Sequence, residues 1–403
     1  MINKKLVVIS SFPPYPDNFG APTSLLYLLL ANLPLDVSLY LYYFPMVNNN
    51  VSQVALDKKI LNLKCKKVSQ IRCSYLEKIK SVLVGAVKLL PAGYWRYPVS
   101  EKIIRDIEEI DPTYILLYPY WLINWQDCLQ VYPTTVIAPD SALLHNIRSL
   151  KLHKFNIKRL VSDIIGICLN YILERKWGKK NVQVGFVGVS DLNCYQKVAI
   201  KKNGFYFSHM FVPSDLGSII FANKPSINVL ISGDAESVYI KNDLALLIQS
   251  LITNKNVIVT RFNFFFLGKN FDNYYRSLRS HGFNVTLEVW TEDYNEFLSK
   301  MDVQIFPICV GTGTKGKVLQ AMAMGLICIG SKYAFENIRI GDDIDVDSIR
   351  YRKPEEIPEM LVNIAENPKS YFQLAHKISD SVRLNHDVKK IARLFWNKVC
   401  RLG

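Results

Sequence analysis

Along the 403 residues, short runs rich in Val, Ile, Leu and Tyr alternate with longer stretches whose apolar residues recur every three or four positions. The first pattern suits strands covered on both faces, and the second suits amphipathic helices. In the amino half the runs predict strands at 6–10, 37–43, 114–118, 135–138 and 182–189. Helical spacing falls between them at 23–33, 100–110 and 161–176. A second alternation predicts strands at 227–233, 264–268, 285–289, 303–307 and 326–330, with helices at 242–251, 274–280, 294–301 and 317–324. Residues 208–226 keep no period and carry Pro213, Gly217 and Pro225, which marks a junction. From Pro354 onward the pattern is helical. Strand and helix in strict alternation is the sequence picture of parallel α/β sheets. A chain this long also exceeds a single core, which stops growing near ~250–300 residues.

The expected organisation is therefore a first Rossmann-like domain at 1–210, a linker at 211–226 and a second domain at 227–385. A carboxyl-terminal helix at 386–403 is expected to return toward the first domain. Two doubly wound domains facing across a cleft, followed by a helical tail, describe a GT-B fold.

Charge adds a direction to this picture. The net charge is +14, and +11 of it lies in residues 1–220. A basic amino half beside a nearly balanced carboxyl half points to an anionic partner of the first domain. The segments KLHKFNIKR (151–159) and RKWGKK (175–180) mix cations with Leu, Phe, Ile and Trp, which suits an anionic membrane surface. No nucleic-acid-binding motif is present, so nucleic acid is not expected as a partner. The eight cysteines show no CxxC spacing and read as reduced, mostly buried small hydrophobes. The opening apolar run LVVIS is too short for a signal peptide and ends at Pro13-Pro14; no run is long enough to span a membrane. A cytoplasmic protein, peripheral at most to the inner membrane face, is the expectation.

The segment with the clearest chemistry is VQIFPICVGTGTKGKVLQAMAMG (303–325). An apolar strand leads into Gly311-Thr312-Gly313-Thr314-Lys315, and a helix follows directly. In that arrangement backbone N–H groups and the positive helix end can hold an anion, and Lys315 adds a cationic donor. Gly233 and Lys241 follow the first strand of the same domain and are candidates for the other side of the site. In the first domain, Asp140 and Ser141 come just after the strand at 135–138, where ligands bind in open α/β sheets. Asp140 can orient an acceptor hydroxyl or take its proton, with His145 one turn on; the same residues would equally serve as a helix cap. Asn18 and Gly20, in the loop after the first strand, and Ser190, after the strand at 182–189, are candidate acceptor or cleft residues.

Here the sequence resembles a known family. WTEDYNEFLSKMDVQIFPICVGTGTKGKVLQAMAMGLICIGSKYAFENI (290–338) is similar to the donor-binding domain of family-4-type retaining glycosyltransferases, in the subgroup marked by GTGxKxKVLEAMAMG. APDSALLH, YILERKWGKKNVQVGFVGVSDLNCY and INVLISGDAESVYIKND resemble other segments of those enzymes more weakly. The resemblance implies transfer of a sugar from a nucleotide-sugar to a glycan or lipid-diphosphate-linked acceptor, with retention and in bacterial surface-polysaccharide synthesis. It implies no cofactor and no metal, and the DxD spacings at Asp343, Asp345 and Asp347 fall beyond the matching segment. It also places two glutamates, eight positions apart, at Thr312 and Gln320. Neither is a carboxylate here. That departure keeps a catalytically impaired GT-B partner protein as an alternative, with a GT-B sugar-nucleotide epimerase further behind.

Overall fold

The computed structural model describes residues 4–16, 23–45, 60, 62–150, 152, 156–178, 180–211 and 226–400. The chain divides into two compact units, residues 1–210 with 388–403, and residues 211–387. Most of the expected linker lies outside the described residues. Phe211, at its start, pairs with Asp387 as an isolated parallel bridge in the second unit.

The first unit is built on a seven-stranded sheet in the order β3-β2-β1-β4-β5-β6-β7. Its strands are β1 Lys4–Ser10, β2 Val37–Tyr43, β3 Lys67–Gln70, β4 Tyr114–Tyr118, β5 Thr134–Ala138, β6 Val182–Phe186 and β7 Gly204–Tyr206, and every pairing is parallel. The central strands YILLY and TTVIA are buried at every position, as helices on both faces require. The expected strand at 182–189 stops at Phe186. Gly188 then caps a helix at Val189–Val198, because an apolar run reads alike in a strand end and in the first turn of a covered helix.

The last helix, Val388–Val399, belongs to this unit. It buries Ile391, Ala392, Phe395, Trp396 and Val399 in the same core as Leu6, Leu26, Leu29 and Tyr114. The Trp396 indole donates to the Leu29 carbonyl at 2.9 Å, and the Tyr114 hydroxyl donates to the Cys400 carbonyl at 2.7 Å.

The second unit carries a five-stranded parallel sheet in the order β10-β9-β8-β11-β12, with β8 Ile227–Asp234, β9 Phe262–Lys269, β10 Asn284–Glu288, β11 Val303–Phe306 and β12 Ile327–Gly330. Helices Ile357–Glu366 and Pro368–Asn385 complete it. The ends of β8 and β9 approach so closely that a Cβ on Gly268 would sit 1.9 Å from the Gly233 carbonyl oxygen. Only glycine fits there.

All eight cysteines are free, but they are less buried than their apolar neighbours suggested. Cys328 alone is fully buried, whereas Cys128 and Cys168 are exposed. Cys168 is exposed because the helix that carries it turns apolar residues outward. No described helix is long and apolar enough to cross a membrane.

Candidate functional site

In an open parallel sheet the ligand crevice lies beyond the strand ends where the order of strands reverses direction. In the second unit that point falls between β8 and β11, and the loops following these two strands meet there. The Cys309 N–H donates to the Tyr239 carbonyl at 2.8 Å, and the Tyr239 ring lies next to Gly311. This contact joins the loop after β8 to the segment before Gly311–Lys315; Gly233 is the next-to-last residue of β8 itself, and Lys241 stands where that loop ends. Lys241 starts the helix Lys241–Thr253 and is ion-paired with Glu236 on the same loop.

The glycine loop folds around its own lysine. The Lys315 ammonium donates to the carbonyls of Thr312, at 2.6 Å, and Gly313, at 3.2 Å. The Asn337 amide donates to the Gly313 carbonyl at 3.0 Å. Gly313 sits at φ +66°, in the left-handed region that a side chain disfavours. Lys315 is the N-cap of the helix Gly316–Ala323 and supplies no side-chain cap. The first helical bond runs from the Leu319 N–H to the Lys315 carbonyl, so the amides of Gly316, Lys317 and Val318 precede the ladder and mark the helix's positive end. Thr312 is buried and Thr314 half-buried.

Beneath the loop lies a polar layer. The Gln304 amide donates to the Ser232 hydroxyl at 2.9 Å and to the Tyr294 hydroxyl at 3.1 Å. Burial raises the Tyr294 phenol above its ordinary pKa, so it stays neutral and keeps its proton for hydrogen bonding. The Lys317 ammonium stands 5.6 Å from the Tyr294 ring centre. The Gln320 amide donates to Asn295 Oδ1 at 2.5 Å, with its own carbonyl left as an acceptor. Tyr294, Asn295 and Gln304 were not among the sequence-derived candidates. Gln304 had a legible signal, a single polar residue inside an otherwise apolar strand.

A cavity of about 840 Å³ lies on the other side of the same loop, lined in part by Cys309, Ser331, Tyr333, Arg350 and Tyr351. The Tyr351 hydroxyl donates to Asp243 at 2.8 Å. Among the described residues, no cluster of three or more His, Cys, Asp or Glu side chains is arranged to hold a metal ion. Asp345 and Asp347 form a solvent-exposed turn, with Asp347 paired to Arg350.

In the first unit, Asp140 and Ser141 stand past the end of β5. Ser141 is the N-cap of the helix Ala142–Ser149 and is buried. Its N–H donates to Asp191 at 2.8 Å and its hydroxyl to Glu174 at 2.9 Å. Glu174 also accepts from the Leu143 N–H at 3.2 Å. Ser141 thereby ties three helices together instead of presenting its hydroxyl to a ligand. Burial, with help from Asp191 and Asp140, pushes the Glu174 carboxyl up to about 7. Glu174 was missed as a candidate because its partners, Ser141 and Leu143, stand 33 and 31 residues before it, at the start of another helix. Asp140 is half-buried; the His145 ring lies 3.5 Å from Ser149 on its own helix, and Ser190 is half-buried in the first turn of the helix Val189–Val198. Asn18 and Gly20 lie outside the described residues.

Comparison with known proteins bears on the fold. Residues 230–367 match the family model of the glycosyl transferases group 1. The chain is similar in structure to HepE of Anabaena, solved in complex with UDP and glucose, with a TM-score of 0.67 at 10% identity over 99% of this chain and 100% of that one. It is also similar to sucrose-phosphate synthase of Thermosynechococcus elongatus, with a TM-score of 0.65 at 10% identity over 99% of both chains. An α,α-trehalose-phosphate synthase (UDP-forming) of Burkholderia vietnamiensis gives 0.61 at 8% identity over 99% and 100%. No curated protein matches the chain in sequence. The chain is thus a GT-B protein whose second unit carries the signature of the glycosyl transferases group 1.

Proposed function

We propose that this protein transfers a sugar from a nucleotide-sugar donor to a glycan or lipid-diphosphate-linked acceptor, with retention and without a metal, in the building of a bacterial surface polysaccharide. One observation carries the reading: a glycine loop and an uncapped helix start, both joined to Lys315, stand at the point where the second sheet reverses its strand order. As the glycosidic bond breaks, the leaving nucleoside diphosphate gains negative charge. Oriented N–H groups and an ammonium already in place stabilise that charge without reorganising. HepE, solved with UDP and with UDP-glucose, supports a uridine nucleotide as the first donor to try. Gln320 is assigned to the ribose hydroxyls, for which its carbonyl is the acceptor. Asp140 is assigned to the acceptor hydroxyl, with His145 beside it.

The test is calorimetric titration with UDP-, GDP-, ADP- and CMP-compounds, followed by assay of nucleotide release with a sugar donor. Binding of one nucleotide class, weakened about 10- to 100-fold in Lys315→Ala, is the expected result, since a hydrogen bond to a charged group is worth roughly 1.5–3 kcal/mol. No binding by any nucleotide, or unchanged affinity in the variant, refutes the assignment. The absent carboxylates at Thr312 and Gln320 favour a second reading, a GT-B partner that binds nucleotide without turnover. Binding with no nucleotide release by any donor and acceptor pair would select it.

A further inference from the structure

Two helices of the first unit are built inside out. In Tyr75–Val87 the stripe that holds the helix to the protein is Glu77, Ser81 and Gly85, one turn apart. Gly85 is buried so tightly that a Cβ would fall 2.2 Å from the Trp95 ring, and the Ser81 hydroxyl donates to the Trp95 carbonyl at 3.1 Å. At 100° per residue, the face opposite that stripe consists of Tyr75, Leu76, Ile79, Val82, Leu83 and Val87. All six are exposed, Leu76 at 77% and Val87 at 85%.

The helix Ile157–Trp177 repeats the arrangement at greater length. It is buried through Asn170, Leu173, Glu174 and Trp177. Its opposite face shows Ile157, Val161, Ile164, Ile165, Tyr171 and Ile172 to solvent. The two helices end at the same place, where the Lys176 ammonium donates to the Lys88 carbonyl at 3.4 Å.

An ordinary surface helix turns its apolar stripe to the core and its charges to water. Scattered exposed apolar residues need no explanation, but two helices apolar over their whole outward faces do. The charges say what covers them. Every acidic residue of the two helices, Glu77, Asp163 and Glu174, lies toward the attached side, half-buried or buried. Lys78 and Lys80 border the first apolar face, Lys80 paired at 3.1 Å with Glu101 of a neighbouring helix; Lys158 and Arg159 stand at one end of the second face, and Arg175 and Lys176 at the other. Apolar faces with no acidic residue of their own and with more cations than carboxylates around them match a lipid surface bearing negative headgroups. Neither helix is long and apolar enough to cross a bilayer, so the part of a bilayer that suits them is its interface.

We propose that the outward faces of Tyr75–Val87 and Ile157–Trp177 form an anionic-membrane docking surface of the first unit. The surface is read without reference to the donor site, so vesicle binding and nucleotide binding can fail separately.

The experiment is co-sedimentation of the full chain with vesicles of phosphatidylcholine alone and of phosphatidylcholine with one third phosphatidylglycerol, at low and high salt. Size-exclusion chromatography is run in parallel. The chain is expected to pellet with the anionic vesicles only, and less at high salt. The variant L76S/L83S/V87S should lose about tenfold or more in partitioning, as should I157S/I164S/I165S. Because these side chains are already in water, both variants should keep the wild-type circular dichroism spectrum. Failure of the wild type to partition into anionic vesicles overturns the proposal, as does unchanged partitioning in folded variants. A dimer that the same substitutions split, with no vesicle binding, also overturns it and assigns the faces to a second copy.

Discussion

Replacing Glu174 with glutamine isolates the energetic consequence of a carboxyl group enclosed by the first unit. One of its oxygens accepts from the Ser141 hydroxyl and the Leu143 N–H; the other is buried with no hydrogen-bond partner. With the carboxyl pushed from 4.5 to about 7, principally by burial, the folded unit holds a proton that the unfolded chain releases near pH 4.5. A raised folded pKa contributes stability that is fully present below 4.5 and is lost as pH rises through about 7. The full shift corresponds to roughly 3 kcal/mol at pH 8, an upper bound. Glutamine keeps the acceptor for Ser141 and Leu143 and puts an NH2 where the orphan oxygen was, facing the field of Asp140 and Asp191. Glu174→Gln should therefore match the wild type at pH 5, within about 1 kcal/mol, and exceed it at pH 8. For a unit of this size the gain is on the order of 5–10 °C in the melting temperature of its transition. Scanning calorimetry of the full chain at pH 5, 6.5 and 8 makes the comparison. If the variant melts no higher than the wild type at pH 8, or if the wild-type transition does not move between pH 5 and 8, the carboxyl is not held as described.

Two further substitutions test other parts of the molecule. Gln320→Glu restores a carboxylate beside Asn295, whose amide can turn to donate to it; a charge-assisted bond to a ribose hydroxyl should tighten nucleotide binding about three- to tenfold by calorimetric titration. No change in affinity would remove Gln320 from the ribose site. Trp396→Ala empties a fully buried position and removes the indole donor to the Leu29 carbonyl, so about 3–5 kcal/mol of first-unit stability should be lost in chemical denaturation. Nucleotide affinity measured below that transition should stay at the wild-type value.

Legibility from sequence tracked how each residue gains its partners. Strands β4 and β5 were visible because burial on both faces leaves an unbroken apolar run. Strands β3, KVSQ, and β7, GFY, were not, since edge strands this short and partly exposed carry no such run. The helix Tyr75–Val87 escaped a core-seeking reading because its apolar side points away from the core and its contacts are a glutamate, a serine and a glycine. The glycine-loop segment stood out because strand, glycine turn and helix are consecutive in the chain. The polar layer beneath it did not, because Ser232, Tyr294 and Gln304 meet only through the sheet order. Ser141 looked like a site residue for a sound local reason, its place after β5, yet Glu174 and Asp191 engage it from distant helices.

The place of the last helix has a consequence for how the protein is made. Residues 388–399 fill the core around Leu26, Leu29 and Tyr114, yet they leave the ribosome only after all of residues 211–387. Domains generally fold as units, amino-terminal first, during synthesis. In this chain the amino-terminal unit cannot finish that way: it waits with an open hydrophobic slot while its neighbour is completed. A gene cut at residue 210 would accordingly yield one half lacking its closing helix and another carrying a stray one. The first unit is begun before the second and finished after it.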